Sequence, residues 1–194
     1  MSNVASKNIK SYSYLLICLV IYGYFGYELE RTNFNTLVFL FGLLFFLMYQ
    51  IIKLQKDNTR FIVGASLLFR LIFIAALPAL SQDYFRFIWD GRLLVEGINP
   101  YLHLPKDLIE NSNFLLPQKQ ELVDGMGNLS ASHFSNYPPV NQLFYAIAGY
   151  LSNQSIIGAA VILRLIIIAA DYGTLYFGSK LLENVGFEKH RIFW

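Results

Sequence analysis

The sequence predicts an all-α protein that crosses a membrane several times, and three observations support this fold class. Hydrophobic residues make up 55% of the 194 residues and charged residues only 14%, whereas a soluble domain carries about 25% charged residues. Several apolar runs approach the roughly 20 residues that a helix needs to cross a hydrocarbon core about 30 Å thick. Between two of these runs, residues 81–155 are polar or mixed, which predicts a long loop outside the membrane.

Residues 1–60 are predicted to hold two spanning helices joined by short loops. The apolar runs cover Tyr12–Tyr27 and Phe34–Ile52. Because Lys7 and Lys10 precede the first run, a signal peptide is the alternative interpretation. Bulky aromatic residues fill the end of this run, where a signal peptide needs small residues for cleavage, so a retained helix is favoured.

Residues 61–194 are predicted to form a second part of the chain. It contains a helix over 61–80, an external loop over 81–155 and a helix over 156–180. The sequence stops at Arg191-Ile-Phe-Trp194, at the start of what reads as another apolar segment. We therefore expect the chain to be the front part of a longer module.

The basic residues predict how the chain is oriented in the cell (inner or plasma) membrane. They lie before the first helix and in the loop 53–60, whereas the loop 28–33 holds one Arg and two Glu. The positive-inside rule then places the N-terminus in the cytoplasm. The third helix leaves the membrane outward, so the loop 81–155 is predicted to be extracytoplasmic.

Two segments of this external loop have helical character. Apolar residues recur at close to helical spacing among charged ones over Gln82–Glu96, which predicts an amphipathic juxtamembrane helix on the membrane surface. Residues 102–136 are predicted to be irregular because Pro and Gly interrupt them. The apolar run 138–151 fits either a short span or a helix lying flat. The flat helix is favoured, since it leaves the basic cluster after Lys180 in the cytoplasm.

Motifs in the second part resemble those of the GT-C glycosyltransferases. The similarity is greatest to bacterial polyprenyl-phosphate-mannose-dependent mannosyltransferase-like proteins, and more distant to dolichyl-phosphate-glucose glucosyltransferases. It covers roughly residues 61–194. The matching elements are Leu77-Pro78, Ser81, Asp83, Arg86, Trp89-Asp90-Gly91-Arg92, Gly97, Asn99-Pro100-Tyr101, Tyr137-Pro138-Pro139 and a helix from Arg164 to Asp171.

The resemblance implies an integral membrane enzyme that moves a hexose, with mannose favoured, from a polyprenyl-phosphate-sugar donor to an extracytoplasmic glycan or glycolipid acceptor. It also implies a single inverting displacement in which a loop Asp is the general base. Relatives often carry Ser-Asp-Asp where this chain has Ser81-Gln82-Asp83. The single Asp83 keeps the one-base mechanism and weakens a paired-acid or metal-assisted one.

Asp83 is the candidate catalytic base on chemical grounds as well. Sugar transfer needs a carboxylate within about 3 Å of the acceptor hydroxyl, and Asp83 is the first carboxylate after the third helix. Transfer also needs positive charge on the departing phosphate, and Arg86 lies three residues on, beside Asp83 on a helix. The alternative for Asp83 is a carboxylate that only stabilises the helix N-terminus.

Four more residues of the loop are candidates for substrate binding, each with a structural alternative. Asp90 could bind sugar hydroxyls, and Arg92 is a second candidate beside it. The alternative for both is an Asp–Arg ion pair on the surface. Trp89 could stack on a sugar ring or anchor the chain at the membrane interface. Tyr137, at the entry to the next helix, could line the cleft.

Charged residues inside apolar runs are costly in lipid, so they are expected to pair or to have a function. Arg70 of the third helix and Asp171 of the last are predicted to form a structural pair between helices. Arg164 lies almost two turns before Asp171 and could contact the donor phosphate.

No cofactor is predicted. A metal ion is an alternative, because His103, His133 and several acids share the external loop, but their spacing does not match a known metal motif. Cys18, the single cysteine, has no partner for an intrachain disulfide. The net charge of +2 gives no indication of nucleic acid as a partner. The alternative functions are a transporter or flippase for a polyprenyl lipid or small molecule, and a non-catalytic membrane subunit.

Overall fold

The computed structural model describes residues 2–193, and these residues form helices and no strands. The all-α fold class is therefore confirmed. A short 3-10 helix, Lys189–Phe193, follows the α-helices. The α-helices are α1 (Ser2–Tyr27), α2 (Phe34–Gln55), α3 (Thr59–Ile72), α4 (Asp83–Val95), α5 (Pro105–Glu110), α6 (Lys119–Ala131), α7 (Pro139–Leu151) and α8 (Ile156–Asn184).

Three of the helices are long and apolar enough to cross a membrane, which confirms a membrane protein. They cover Ala5–Tyr27, Phe34–Gln55 and Ile156–Asn184. The described chain divides into two compact units. The membrane unit comprises the chain up to Ala76 and from Ile168 onward, and the loop unit comprises Leu77–Ile167.

The membrane unit has a core where α1, α2 and α3 meet. Apolar side chains at helical spacing on each of the three helices are buried there: Cys18, Ile21 and Phe25 on α1, Leu44, Leu47 and Ile51 on α2, and Ala65 and Phe69 on α3. Many other large apolar side chains of α1 and α2 are exposed. A helix that is apolar on all sides is typical of a segment surrounded by lipid.

The helix predicted over 61–80 is shorter in the structure, where α3 ends at Ile72. Residues 73–75 form a turn and the chain then runs irregularly to the start of α4. Pro78 is one reason why the helix does not reach Leu80, since its ring and missing N–H are incompatible with the interior of a helix. At about 1.5 Å per residue, the 14 residues of α3 extend about 21 Å, so the helix alone does not cross a bilayer.

The loop unit is built around α4, which packs between α6 and α7. Two glycines allow α4 and α7 to approach closely. A Cβ on Gly91 would lie 2.0 Å from the Tyr145 carbonyl oxygen, and a Cβ on Gly149 would lie 2.9 Å from Gly91. The backbones therefore touch at this crossing, where a larger side chain would separate the helices.

The structure differs from two expectations about the loop. Residues 102–136 contain α5 and α6 and are not irregular throughout. Pro105 stands at the first position of α5, where its fixed φ favours a helix start. The helix predicted to lie on the surface over Gln82–Glu96 is present as α4, but Arg86, Asp90 and Arg92 are buried inside the loop unit.

Candidate active site

One face of α4 carries an exposed carboxylate at its start and a buried ion pair further along. Asp83, Arg86, Phe87 and Asp90 follow the spacing i, i+3, i+4 and i+7, so they share this face. Asp83 is the first residue of α4 and is exposed to solvent. Its backbone N–H donates a hydrogen bond to Ser81 Oγ over 3.2 Å. Asp83 thus lies at the helix N-terminus, where a negatively charged side chain interacts favourably with the macrodipole.

Asp90 is fully buried, and both of its carboxylate oxygens are engaged. Oδ1 accepts from Arg86 Nε over 2.8 Å. Oδ2 accepts from Ser135 Oγ over 2.5 Å and from Gln142 Nε2 over 2.9 Å. These contacts join α4, the loop before α7 and α7 itself. Asp90 therefore forms an ion pair in the protein interior, with Arg86 as its partner, and not a pair on the surface.

Arg86 extends the same network toward the end of α6. Its NH1 nitrogen donates to the carbonyl oxygens of Ser130, over 2.7 Å, and His133, over 3.0 Å. Its NH2 nitrogen is buried without a hydrogen-bond partner among the described residues. The guanidinium lies in the interior, where it fixes the chain that leads from α6 to Tyr137.

Three aromatic rings pack together on this side of α4, and we call Phe87, Tyr137 and Tyr145 the aromatic cluster. The Phe87 ring stacks on Tyr145 with centroids 4.6 Å apart, and Tyr137 meets both rings edge to face. The Tyr101 hydroxyl donates to the Tyr137 carbonyl oxygen, which ties down the turn before Pro138. Tyr137 is half-buried, so part of its surface remains open.

Electrostatics link the exposed Asp83 to this cluster. Burial raises the pKa of Tyr137, and the negative charges of Asp83 and Asp90 raise it further, while Arg86 opposes them. Burial is also the main cause that raises the pKa of Tyr145 to about 12. Both phenols therefore keep their protons at neutral pH and are able to donate hydrogen bonds.

Other candidates lie away from this face. Trp89 is 0% exposed and packs against Phe114 in the core of the loop unit, so its ring is presented neither to a sugar nor to the membrane interface. Arg92 lies nine residues after Asp83, about 180° around the helix, and it faces a different cavity. Arg164 is half-buried in the part of α8 that belongs to the loop unit.

The two charged residues predicted to pair inside the membrane unit do meet. Arg70 Nε donates to Asp171 Oδ2 over 2.7 Å, and Arg70 NH1 donates to the Ser66 carbonyl oxygen over 3.1 Å. The pair lines a cavity of about 230 Å³ together with Tyr172 and Thr174.

The histidines and acids of the external loop are not gathered into one cluster. In the part of the chain that the structure describes, no three His, Cys, Asp or Glu side chains come close enough to hold a metal ion together. His133 is exposed, and its Nδ1 lies 2.6 Å from the Leu129 carbonyl oxygen of α6.

Sequence reasoning missed four residues that shape this region: Phe87, Ser135, Gln142 and Tyr145. Phe87 could have been found, because it lies four residues after Asp83 on the same helical face. Gln142 also carried a signal, as a polar residue within the largely apolar α7. Ser135 carried none, since nothing in the sequence indicates which loop hydroxyl reaches a buried carboxylate.

A search with family models links this chain to a known family. The model of the MptA_B family, described as alpha-(1->6)-mannopyranosyltransferase, N-terminal domain, matches residues 22–194. No curated protein and no solved structure matches the chain. The family match covers most of the chain and agrees with the resemblance to GT-C mannosyltransferases. The chain belongs to the MptA_B family of membrane mannosyltransferases, enzymes that transfer mannose from a sugar donor to a glycan acceptor.

Proposed function

We propose that the enzyme takes mannose from a polyprenyl-phosphate-mannose donor and that Asp83 is its general base. The acceptor hydroxyl oxygen attacks the anomeric carbon while its proton passes to the Asp83 carboxylate. The bond between the anomeric carbon and the phosphate oxygen breaks, and the polyprenyl phosphate leaves with the electron pair. Since this displacement inverts the anomeric carbon, an alpha-mannoside product requires a donor with the beta configuration.

The observation that carries this proposal is the contrast between the two carboxylates of α4. A general base must reach the proton that it abstracts and must have a free oxygen to accept it. Asp83 is exposed at the start of α4. Asp90 is 0% exposed, and both its oxygens already accept hydrogen bonds. Of these two residues, only Asp83 has the access that the reaction needs.

The buried network supports the reaction by position. Arg86 and Asp90 hold the end of α6, the loop at Ser135 and α7 against α4. The same contacts fix the aromatic cluster next to Asp83. We assign Tyr137 the role of lining the acceptor side, because its half-buried ring and protonated hydroxyl suit a sugar that presents both apolar C–H groups and hydroxyls.

The departing phosphate needs a cation, and burial of the Arg86 guanidinium makes it a poor candidate in this conformation. Arg164 of α8 is the better one. It is half-buried within an otherwise apolar stretch of a helix that is long enough to span the membrane. A guanidinium at that depth suits the phosphate of a lipid carrier, which it can bind through two parallel hydrogen bonds.

The proposed topology keeps the N-terminus in the cytoplasm and the loop unit outside. Because α3 is too short to span alone, we propose that α3 and the irregular residues 73–80 cross the membrane together. Hydrogen bonds of the turn, from Phe73 N to Arg70 O and from Ala76 N to Phe73 O, satisfy part of the backbone there. The basic residues on each side of the spans support this orientation.

The catalytic assignment is tested with labelled polyprenyl-phosphate-mannose in membranes that contain the full-length protein. Asp83→Asn should abolish transfer at an unchanged protein level. Asp107→Asn is the matched control, since Asp107 is also exposed in the first turn of a helix of the loop unit. Normal transfer by Asp83→Asn would exclude Asp83 as the base, and absence of transfer by the wild type would favour another donor or a non-catalytic subunit.

The topology is tested by single cysteines in a Cys18→Ser background. A membrane-impermeant maleimide applied to intact cells should label a cysteine at Lys106, in the loop unit, but not one at Asp57, between α2 and α3. The reverse pattern would invert the proposed orientation.

A further inference from the structure

A second polar cavity lies on the face of α4 opposite Asp83. Its volume is about 170 Å³, and Arg92 of α4 and Glu96, which directly follows α4, contribute to its wall. The remaining lining residues come from the end of α4, the segment before α6, the end of α7 and the turn after α7: Val95, Leu116, Pro117, Gly149, Tyr150, Asn153 and Gln154. The cavity is therefore separate from the face that carries Asp83 and the aromatic cluster.

Arg92 is a buried cation whose charge is not neutralised by direct contact. It is 4% exposed, and it forms no ion pair with another described residue. Its terminal nitrogens donate to the carbonyl oxygens of Pro117 and Gln154 and to the side chain of Gln118. Its Nε is buried without a hydrogen-bond partner among the described residues. A buried guanidinium with an unsatisfied N–H donor costs folding free energy, unless a bound ligand accepts a hydrogen bond from that donor.

The backbone around Arg92 is held in an uncommon conformation. Gln118, Asn153 and Gln154 have φ values of 55°, 48° and 66°. A non-glycine residue in this left-handed region costs free energy, so it persists where the surrounding structure enforces it. Gln118 Oε1 and the Gln154 carbonyl oxygen accept hydrogen bonds from Arg92, and Asn153 lines the same cavity.

The position of the cavity points to a lipid. Asn153 and Gln154 lie in the short turn between α7 and α8, and α8 is long and apolar enough to span the membrane from Ile156 onward. This turn is thus close to the depth of the lipid headgroups. Tyr150 is 75% exposed and lines the cavity, and tyrosine is a residue type that favours the same depth.

We propose that this cavity binds the headgroup of a phospholipid that carries both a phosphate and a primary ammonium, such as phosphatidylethanolamine. The phosphate lies against the Arg92 guanidinium, and the ammonium lies against the Glu96 carboxylate. Glu96 is exposed and lines the same cavity as Arg92, so two opposite charges lie along its wall. A ligand with only a negative charge would be repelled by Glu96, which is the reason for choosing a headgroup with both charges.

The proposal is tested on the full chain in nanodiscs of phosphatidylcholine that contain either phosphatidylethanolamine or phosphatidylglycerol. Native mass spectrometry then measures which lipids the protein retains. The wild type should retain phosphatidylethanolamine about tenfold better than the other two, the effect of one charge-assisted hydrogen bond. Retention without preference would overturn the proposal.

One variant and one control test the role of the Glu96 carboxylate. Glu96→Gln, which changes an exposed residue, should lose the preference for phosphatidylethanolamine and gain retention of phosphatidylglycerol. Glu110→Gln, another exposed acid of the loop unit, should behave as the wild type. An unchanged preference in Glu96→Gln would exclude the proposed site.

A third measurement distinguishes a lipid from a soluble ligand of the same chemistry. Free phosphoethanolamine, added in excess to the nanodiscs, should displace little of the retained lipid because it lacks the acyl chains. Complete displacement would show that the cavity prefers a soluble phosphate compound and would overturn the lipid assignment.

Discussion

The membrane unit and the loop unit each contain an Arg–Asp pair, but the two pairs are built differently. In the loop unit, the side chains of Arg86 and Asp90 are 3% and 0% exposed, and Ser135 and Gln142 donate hydrogen bonds to the Asp90 carboxylate. In the membrane unit, the side chains of Arg70 and Asp171 are 39% and 43% exposed and line a cavity.

This difference teaches what each pair contributes. A buried pair with further hydrogen bonds cannot lose one partner without leaving a charge in a low-dielectric interior. A pair at the edge of a cavity, with fewer additional partners, leaves room for its charges to relax. The loop unit should therefore depend on its pair for folding, whereas the membrane unit should tolerate changes in its pair.

The largest expected effect comes from Asp90→Asn. This change removes the charge that Arg86 faces, and breaking a buried ion pair by removal of one partner costs about 3–5 kcal/mol. We expect a large fall in the midpoint of thermal unfolding in detergent and little folded protein at growth temperature. Sugar transfer should be lost together with the folded state.

Asp83→Asn is the control for this experiment, because the exposed Asp83 should affect transfer and leave the unfolding midpoint nearly unchanged. An Asp90→Asn protein that unfolds at the wild-type temperature but transfers no sugar would contradict the structural role and give Asp90 a part in the chemistry.

A second test concerns the contact between α4 and α7, on which the buried pair depends. A Cβ on Gly91 would lie 2.0 Å from the Tyr145 carbonyl oxygen, so Gly91→Ala must push the helices apart. Overpacking of this kind costs about 1–3 kcal/mol. The change in unfolding midpoint should be measured beside that of Gly64→Ala, since no atom lies within 4 Å of a Cβ on Gly64.

Gly64→Ala should stabilise α3 by about 0.5–1 kcal/mol, because glycine in a helix interior is less favourable than alanine. Equal responses of the two variants would mean that α4 and α7 do not pack as closely as the structure has them.

The sequence was informative where a single strong rule decides the outcome. Composition and apolar run length were sufficient for the all-α membrane fold. Pro78 was also visible in the sequence, and it carried the information that α3 could not run to residue 80. The length of the apolar run outweighed it in the prediction, although the proline rule is the stricter of the two.

Burial inside the loop unit could not be predicted in the same way. The alternation of charged and apolar residues in α4 predicts a surface helix, and it gives no indication that α6 and α7 cover both sides. Trp89 and Asp90 lie in the interior because of contacts from segments 25 or more residues away in sequence, such as Phe114 and Gln142. The three-residue spacing between Asp83 and Arg86 placed them on one face of α4. The nine-residue spacing between Asp83 and Arg92 places Arg92 on the opposite face, and it could have been read from the sequence in the same way.

A third prediction addresses the pair in the membrane unit. Arg70→Gln should lower stability by about 0.6–1.7 kcal/mol, from the average to the largest coupling measured for polar contacts between membrane helices. The double variant Arg70→Gln with Asp171→Asn should recover part of that loss, because no unpaired charge remains. The unfolding midpoints of both single variants and the double variant give the coupling between the two residues.

Loss in the double variant equal to the sum of the single losses would contradict a direct pair. It would mean that each residue has a separate partner. A coupling as large as the cost of Asp90→Asn would remove the distinction between the two units.

The smallest effect is expected in alkaline solution, where ionisation of Tyr145 should lower the stability of the loop unit. Burial raises the pKa of Tyr145 from 10.0 to about 12, so between these values the unfolded chain loses this proton more readily than the folded protein does. The stability that Tyr145 contributes is therefore complete below pH 10 and declines as the pH rises toward 12.

Tyr145→Phe removes this ionisable proton and should reduce the alkaline loss of stability, whereas the same change at the exposed Tyr150 should leave that loss unchanged. Unfolding midpoints at pH 8, 9, 10 and 11 test the difference between these variants. Parallel pH profiles for the wild type and Tyr145→Phe would mean that water reaches the Tyr145 ring and that the aromatic cluster is more open than the structure has it.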